Sequence, residues 1–312
     1  MDNRKTENIS QTEAGHAFEY TVLRKLLHKI FDADLDVEIK EDSEVKKIKE
    51  SYLLVKKKQK KKLELYDGVA EKFVEFLMKK EEKISKGQGK IILSKQSDAK
   101  GQKGDVRDIL IKKGYWEIGI SCKWNNESIR SPRLSDKNDF GKRWIGTPCS
   151  DSYLTKMKKI FENTRKSKKN WNQIDEKIKI KKYYKPTHEA FITEFKALQK
   201  KDKKVVKNFV KFIVGTEDYY KLIGRSTDST VALFNFNKTL NEKKTVLPTK
   251  MLNTQLVETK KLQKNGITFS MSFDKGWQFH FRLHNADSKL SPSLKLETTI
   301  EGYPKTLKNY PL

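Results

Sequence analysis

The sequence predicts a mixed α/β (α+β) chain, helical toward the N-terminus and β-rich toward the C-terminus, and three observations carry that expectation. Between Gly15 and Phe31, Phe18, Val22, Leu23, Leu26, Leu27 and Ile30 recur at helical spacing. Two apolar runs, Asp105 to Ile111 and Tyr115 to Trp124, flank Lys112-Lys113-Gly114 and suit a hairpin. Ile267, Phe269, Met271 and Phe273 alternate before Asp274-Lys275-Gly276, and Trp277, Phe279, Phe281 and Leu283 alternate after it, which is a second hairpin signal.

In the first helix, at 100° per residue, the centre of the apolar stripe falls close to Glu19. A carboxylate there costs several kcal/mol to bury unless it meets a cation, a metal or hydrogen-bond donors. An ion pair with a nearby lysine and a metal-ligand role both satisfy that demand. Lysine-rich helical sequence fills 41–86, with a break expected near Tyr66-Asp67-Gly68 and an end at Gly87 and Gly89. Lys90 to Lys95 (KIILSK) suits a strand, followed by a polar loop with Gly101 and Gly104, then the central hairpin. Basic helices follow Trp144, Pro186 lies near a boundary, and another helix is expected around Glu189 to Phe212.

A chain of 312 residues with 36% hydrophobic positions has room for one large or two ordinary domains. No apolar run approaches the roughly 18 residues of a membrane span, and the opening MDNRKTENIS lacks the apolar core of a signal peptide, so a cytoplasmic protein with no membrane partner is expected. Two cysteines, Cys122 and Cys149, suit a reducing compartment. The 67 Lys+Arg against 41 Asp+Glu leave a net charge of +26, which nominates a polyanion, although a lysine-biased genome produces the same excess. KKKQKKK at 56–62 is read as a solvated helix face or loop in preference to a phosphate site. Residues 156–185 hold twelve Lys or Arg and three acids, interleaved with Trp171, Tyr183 and Tyr184, a pattern able to track a phosphate backbone.

The central hairpin carries the chemistry. Trp116, Ile118, Ile120, Cys122 and Trp124 fall on one side of its second strand, and Glu117, Gly119, Ser121 and Lys123 on the other. A lysine and an aspartate at one end of such a hairpin suit phosphodiester hydrolysis, in which carboxylates hold Mg²⁺ and the ammonium orients water or steadies the phosphate. Asp105 and Asp108 compete for the metal. If Lys112-Lys113-Gly114 is a three-residue loop with Gly114 left-handed, Ile111 pairs with Tyr115 and Asp105 lies opposite Ser121; a two-residue loop brings Asp108 to that face instead. Gly114 at the third loop position favours Asp105.

GDVRDILI followed by ISCKW resembles the PD-(D/E)xK nuclease superfamily, and the HaeIII-type restriction endonucleases within it. The resemblance spans nearly the whole chain: GHAFEY at 15–20, KGDVRDILI at 103–111, EIGISCKWN at 117–125, SPRLS at 131–135 and DKGWQFHFRLHNADSKLSPSLK at 274–295. It implies a PD-(D/E)xK-like core, a central mixed sheet flanked by helices, over residues 1–160 with the lysine-rich insertion at 41–86. A basic helical linker at 161–185 and a mixed helix-then-antiparallel β region for DNA recognition at 186–312 complete the expected organisation.

The implied activity is Mg²⁺-dependent Type II cleavage of double-stranded DNA at GGCC, leaving 5′-phosphate ends. Asp105 matches the motif aspartate and Lys123 its lysine. Ser121 stands where an acidic residue is usual, so Glu19 is the natural replacement ligand, with Glu117 the runner-up and the Cys122 backbone carbonyl a further ligand. A G·C-only site needs bidentate cations and carboxylates in the major groove. Arg130, Arg133, Lys142, Arg143, Arg282, His284 and Asn285 are the candidates, expected to act as a group. A palindrome is met by a homodimer or by a monomer cutting in successive steps. A cognate DNA methyltransferase is expected as a functional companion and not as a bound subunit.

Other signals are set aside. Pro148-Cys149 matches a methyltransferase nucleophile dipeptide but lacks a Gly-rich methyl-donor loop, so Cys149 is expected to be structural. His280 and His284 lie in a strand pattern, too far apart for an easy chelate. Two rival functions remain, a non-catalytic basic DNA-binding protein and a structure-specific repair or recombination nuclease.

Overall fold

Ser10 starts the first helix, α1 (Gln11–Phe31), by a capping box: its side chain accepts from the Glu13 amide while the Glu13 carboxylate accepts from the Ser10 amide. The computed structural model describes residues 9–97, 104–165, 167, 169–257, 266–285 and 287–312. Most of the polar opening, Gly101 of the polar loop, and Lys166 and Lys168 of the basic segment lie outside them. Among the described residues no helix is long and apolar enough to cross a membrane.

The chain forms two compact units. The first comprises residues 1–127, 216–245 and 306–312. Its sheet is mixed, in the order β1 (Val37–Ile39), β2 (Ile91–Lys95), β3 (Ile109–Lys113), β4 (Trp116–Trp124), β6 (Tyr219–Gly224), β7 (Thr230–Phe234), β12 (Lys308–Pro311), with β1–β2 and β4–β6 parallel and the other pairs antiparallel. Helix α1, with α2 (Ser43–Lys58) and α3 (Lys60–Lys80), packs on one face of it. Phe18, Val22, Tyr66 and Phe73 share one core with Ile91, Leu93, Ile109, Ile111, Ile118, Ile120 and Leu222. A central mixed sheet flanked by helices is the architecture expected.

Helix α3 runs unbroken through Tyr66-Asp67-Gly68, where a break was expected; Tyr66, Val69 and Ala70 are buried and Asp67 pairs with Arg24 at 2.7 Å, which offsets the roughly 1 kcal/mol a helical glycine costs. The break falls at Gln59 (φ −141), inside KKKQKKK. No apolar residue between Lys56 and Lys62 anchors either helix, and like charges three and four apart repel.

The second unit comprises residues 128–215 and 246–305. Its sheet is wholly antiparallel, in the order β5 (Arg133–Ser135), β11 (Ser293–Gly302), β10 (Gln278–Asn285), β9 (Ile267–Phe273), β8 (Met251–Val257). The β9–β10 hairpin turns at Asp274–Gly276 as its alternation predicts. Its helices include α4 (Asp151–Arg165), α5 (Lys185–Lys201) and α6 (Val205–Val214); α5 supplies Phe191 and α6 Phe209 to aromatic contacts with Phe269, Phe273 and Phe281. The expected boundaries at 160 and 185 both fall inside this unit, while β6, β7 and β12 return to the first unit's sheet. Trp171, Tyr183 and Tyr184 of the basic segment are buried ring on ring, at 5.2 and 6.3 Å from the indole, so they are core and not a base-stacking platform.

Candidate active site

The central hairpin turns through two residues, Gly114 and Tyr115, not three. Lys113 pairs with Trp116, Ile111 with Ile118 and Ile109 with Ile120. Gly114, at φ +58, takes the first loop position, where a II′-type turn calls for glycine. The expected pairing of Ile111 with Tyr115 is therefore overturned. It set Ile109 and Ile111 against the polar side of β4, whereas the observed register lays them on Ile118 and Ile120. Asp108, directly before the ladder's last pair, donates its amide to the Ile120 carbonyl (2.8 Å), and its carboxylate reaches Ser121, the residue Asp105 was expected to face.

Four charged groups converge where β2, β3 and β4 end. Asp108 Oδ2 accepts from the Cys122 amide (2.8 Å), Ser121 Oγ (3.2 Å) and Lys123 Nζ (3.2 Å). Lys95 Nζ lies 3.9 Å from Asp108 Oδ1 and 3.2 Å from Glu19 Oε2. Glu19 is buried, as its place in the apolar stripe required, and its Oε2 has no aligned hydrogen-bond donor despite the Lys95 charge. Burial and then the Asp108 charge push the Glu19 carboxyl up to about 7, against the pull of Lys95 and Lys123. Burial also raises Asp108, but Lys123, Lys95 and the Cys122 amide outweigh it and hold that carboxyl below the usual range. Burial lowers Lys123 and Lys95, and the facing carboxylates more than reverse this, so both remain ammonium ions.

Asp105 is elsewhere engaged. Its carboxylate accepts from Gln96 Nε2 (2.7 Å) and from Arg107 through the amide (3.1 Å), Nε (2.8 Å) and Nη2 (2.7 Å). Arg107 Nη1 also donates to Glu117 at 2.9 Å, so Asp105 and Glu117 flank one buried guanidinium. That guanidinium explains Gly119: a Cβ there would stand 2.1 Å from Arg107 Cδ.

Among the described residues no three His, Cys, Asp or Glu side chains gather as a metal cluster. The donor set instead fits a hard cation as two carboxylates plus backbone. Glu19 offers a buried oxygen without an aligned donor, Asp108 a second carboxylate, and the Cys122 carbonyl follows its amide toward the Asp108 edge of β4 by ladder alternation. The Cys122 side chain remains in the core, as expected.

Lys95, Arg107 and Lys221 were not anticipated. Lys95 carried a signal: period two sets it on the face of Ile91 and Leu93, a cation on an apolar face, as anomalous as Glu19. Lys221, beside Ser121 in the β4–β6 register, donates to the Glu127 carbonyl, and burial, with Lys123 next, pushes it down to about 7.

In the second unit, Arg130 is spent internally. It donates to the Phe212 carbonyl (2.6 Å), lies 3.9 Å over that residue's ring, and is pushed down to about 10 by burial. Arg133 pairs with Asp287 at 3.0 Å, Arg143 donates to Asn138 at 3.2 Å, and Lys142 is exposed. On β10, Arg282 and His284 face Glu297 at 3.4 and 3.6 Å, while Asn285 accepts from Tyr184. His280 meets Glu301 at 2.6 Å, so the two histidines address different carboxylates. Buried Cys149 accepts from the Gly141 amide.

A family model described as HaeIII restriction endonuclease matches residues 15–304. The chain is 30% identical over 321 residues to the Type II restriction enzyme HaeIII of Haemophilus aegyptius, with 98% of this chain and 97% of that protein covered. No solved structure matches. The class these matches define is that of the Type II site-specific deoxyribonucleases. Within it, the chain belongs to the HaeIII restriction endonuclease family.

Proposed function

We propose that the chain cuts double-stranded DNA at GGCC in a Mg²⁺-dependent hydrolysis, with Glu19, Asp108 and the Cys122 carbonyl as the metal-holding groups. The observation that carries this reading is the Asp108–Lys123 contact at 3.2 Å, with Glu19 joined to it through Lys95. A divalent ion held by these groups supplies charge neutralisation at the scissile phosphate and a more acidic water.

The protein's own groups do the rest. Lys123, kept cationic by Asp108 and Glu19, orients the attacking water and meets the charge that builds on phosphate oxygens. Ser121 and the Cys122 amide fix the Asp108 carboxylate, so Ser121 serves as a donor where an acid was expected. Water adds at phosphorus as the 3′-oxygen leaves, giving a 5′-phosphate and a 3′-hydroxyl. Base reading is assigned to the second unit, with Arg282, His284 and Asn285 on β10 and Arg133, Lys142 and Arg143 supplying donors suited to guanine. Two copies related by two-fold symmetry would address a palindrome.

The test is plasmid digestion with and without Mg²⁺ and chelator. Discrete fragments ending within GGCC, lost on chelation, are expected. Retarded but intact plasmid would reject catalysis, and cutting confined to branched DNA would select the repair-nuclease alternative.

A further inference from the structure

A cavity of about 490 Å³ opens beside Glu19 and Lys123, within the range that takes small ligands. Its wall includes Lys62, Thr12, His16, Asn125 and Asn126, and only the Glu19–Lys123 end belongs to the reaction described above. We infer that this cavity receives a phosphodiester of the cleaved strand next to the scissile one, with Lys62 as its cation. The inference rests on the DNA-cleavage reading and assigns a role to part of a lysine run that composition alone left as a solvated face.

The helix break at Gln59 makes the placement. It ends α2 and restarts α3, so Lys62 lies in the first turn of α3, one residue before buried Leu63. Lys56, Lys57, Lys58, Lys60 and Lys61 are exposed, whereas Lys62 is half-buried at the cavity wall with no carboxylate paired to it among the described residues. The surrounding wall suits an anion. Thr12 lies in the first turn of α1, where the helix dipole is positive, and Asn125, at φ +50, turns its chain out of β4 directly after Lys123-Trp124. Lys62 and Lys123 place two cations in a wall whose one carboxylate, Glu19, is already engaged at the metal-holding end.

The test measures binding to a GGCC duplex, in the absence of Mg²⁺, by Lys123→Ala, expected not to cut, and by Lys123→Ala/Lys62→Gln. Both are assayed across a salt series and with a neutral methylphosphonate placed in turn at each phosphate flanking the scissile position. Loss of Lys62 is expected to weaken binding roughly tenfold and to reduce the slope of log K against log salt by about 0.9. One methylphosphonate should weaken the Lys62-containing protein while leaving the Lys62→Gln protein unaffected. Exposed Lys57→Gln should show no such dependence on a single phosphate. Equal slopes, or methylphosphonate effects that add at every position, would overturn the inference while leaving the cleavage reading intact. Failure of the unsubstituted protein to bind any duplex in the absence of Mg²⁺ would remove both.

Discussion

Replacing Asp105 and Asp108 singly by asparagine separates two carboxylates that sequence reasoning left in competition. Asp105 accepts four hydrogen bonds, three of them from buried Arg107. Removing one partner of a buried ion pair costs about 3–5 kcal/mol. Here Glu117 still holds Arg107 Nη1 and asparagine keeps one acceptor, so about 2–3 kcal/mol is expected. At roughly 2–4 °C per kcal/mol, Asp105→Asn should melt about 5–10 °C lower and retain cleavage when assayed cool. Asp108→Asn removes the charge that meets Lys123 and that would meet the metal. Losing about 4 kcal/mol of transition-state stabilisation slows cleavage by about 10³-fold, with duplex binding retained. Single-turnover cleavage at saturating enzyme, with circular dichroism melts in parallel, reads both quantities. An Asp105→Asn protein that melts normally and does not cut, beside an Asp108→Asn protein that cuts, would refute the assignment.

Three further substitutions test the surroundings. Gly119→Ala sets a Cβ 2.1 Å from Arg107 Cδ and should cost about 1–3 kcal/mol as Arg107 is displaced, read as a lower urea midpoint; an unchanged midpoint would show that Arg107 does not cross Gly119. Lys221 is about 7 in the folded chain against an ordinary 10.5, so between those values the unfolded chain holds a proton the folded one lacks. Stability relative to Lys221→Met should therefore rise with pH by about 1.4 kcal/mol per unit from pH 7 toward 10, and a flat difference in denaturant titrations at pH 7, 8 and 9 would contradict this. Arg130→Ala should lower the melting temperature, through loss of its Phe212 contacts, without altering which sequences are cut; altered site preference at unchanged stability would return Arg130 to the DNA.

The sequence revealed elements better than register. Helix α1, strand β2 and both hairpins follow from periodicity because each has one strongly apolar face, and the anomaly of Glu19 on such a face is legible in the sequence alone. The same rule applied to KIILSK would have found Lys95. The hairpin misled because Asp105 and Asp108 are three residues apart, and moving the turn from residues 112–114 to Gly114-Tyr115 slips the pairing by three, which brings the Asp108 carboxylate to Ser121 in place of Asp105. Gly114 is left-handed in either arrangement, so turn chemistry alone does not choose. Face matching does: the shorter turn lays Ile109 and Ile111 on Ile120 and Ile118, whereas the longer one sets them on Glu117 and Tyr115. Arg107 lay beyond such reasoning. Its burial depends on Asp105 from the loop before β3 and Glu117 from β4, together with the absence of a side chain at Gly119, a three-body condition with no periodic trace. The proposed assignment rests on this contrast: Arg107 neutralises Asp105, whereas Asp108 faces Lys123, Lys95 and Glu19.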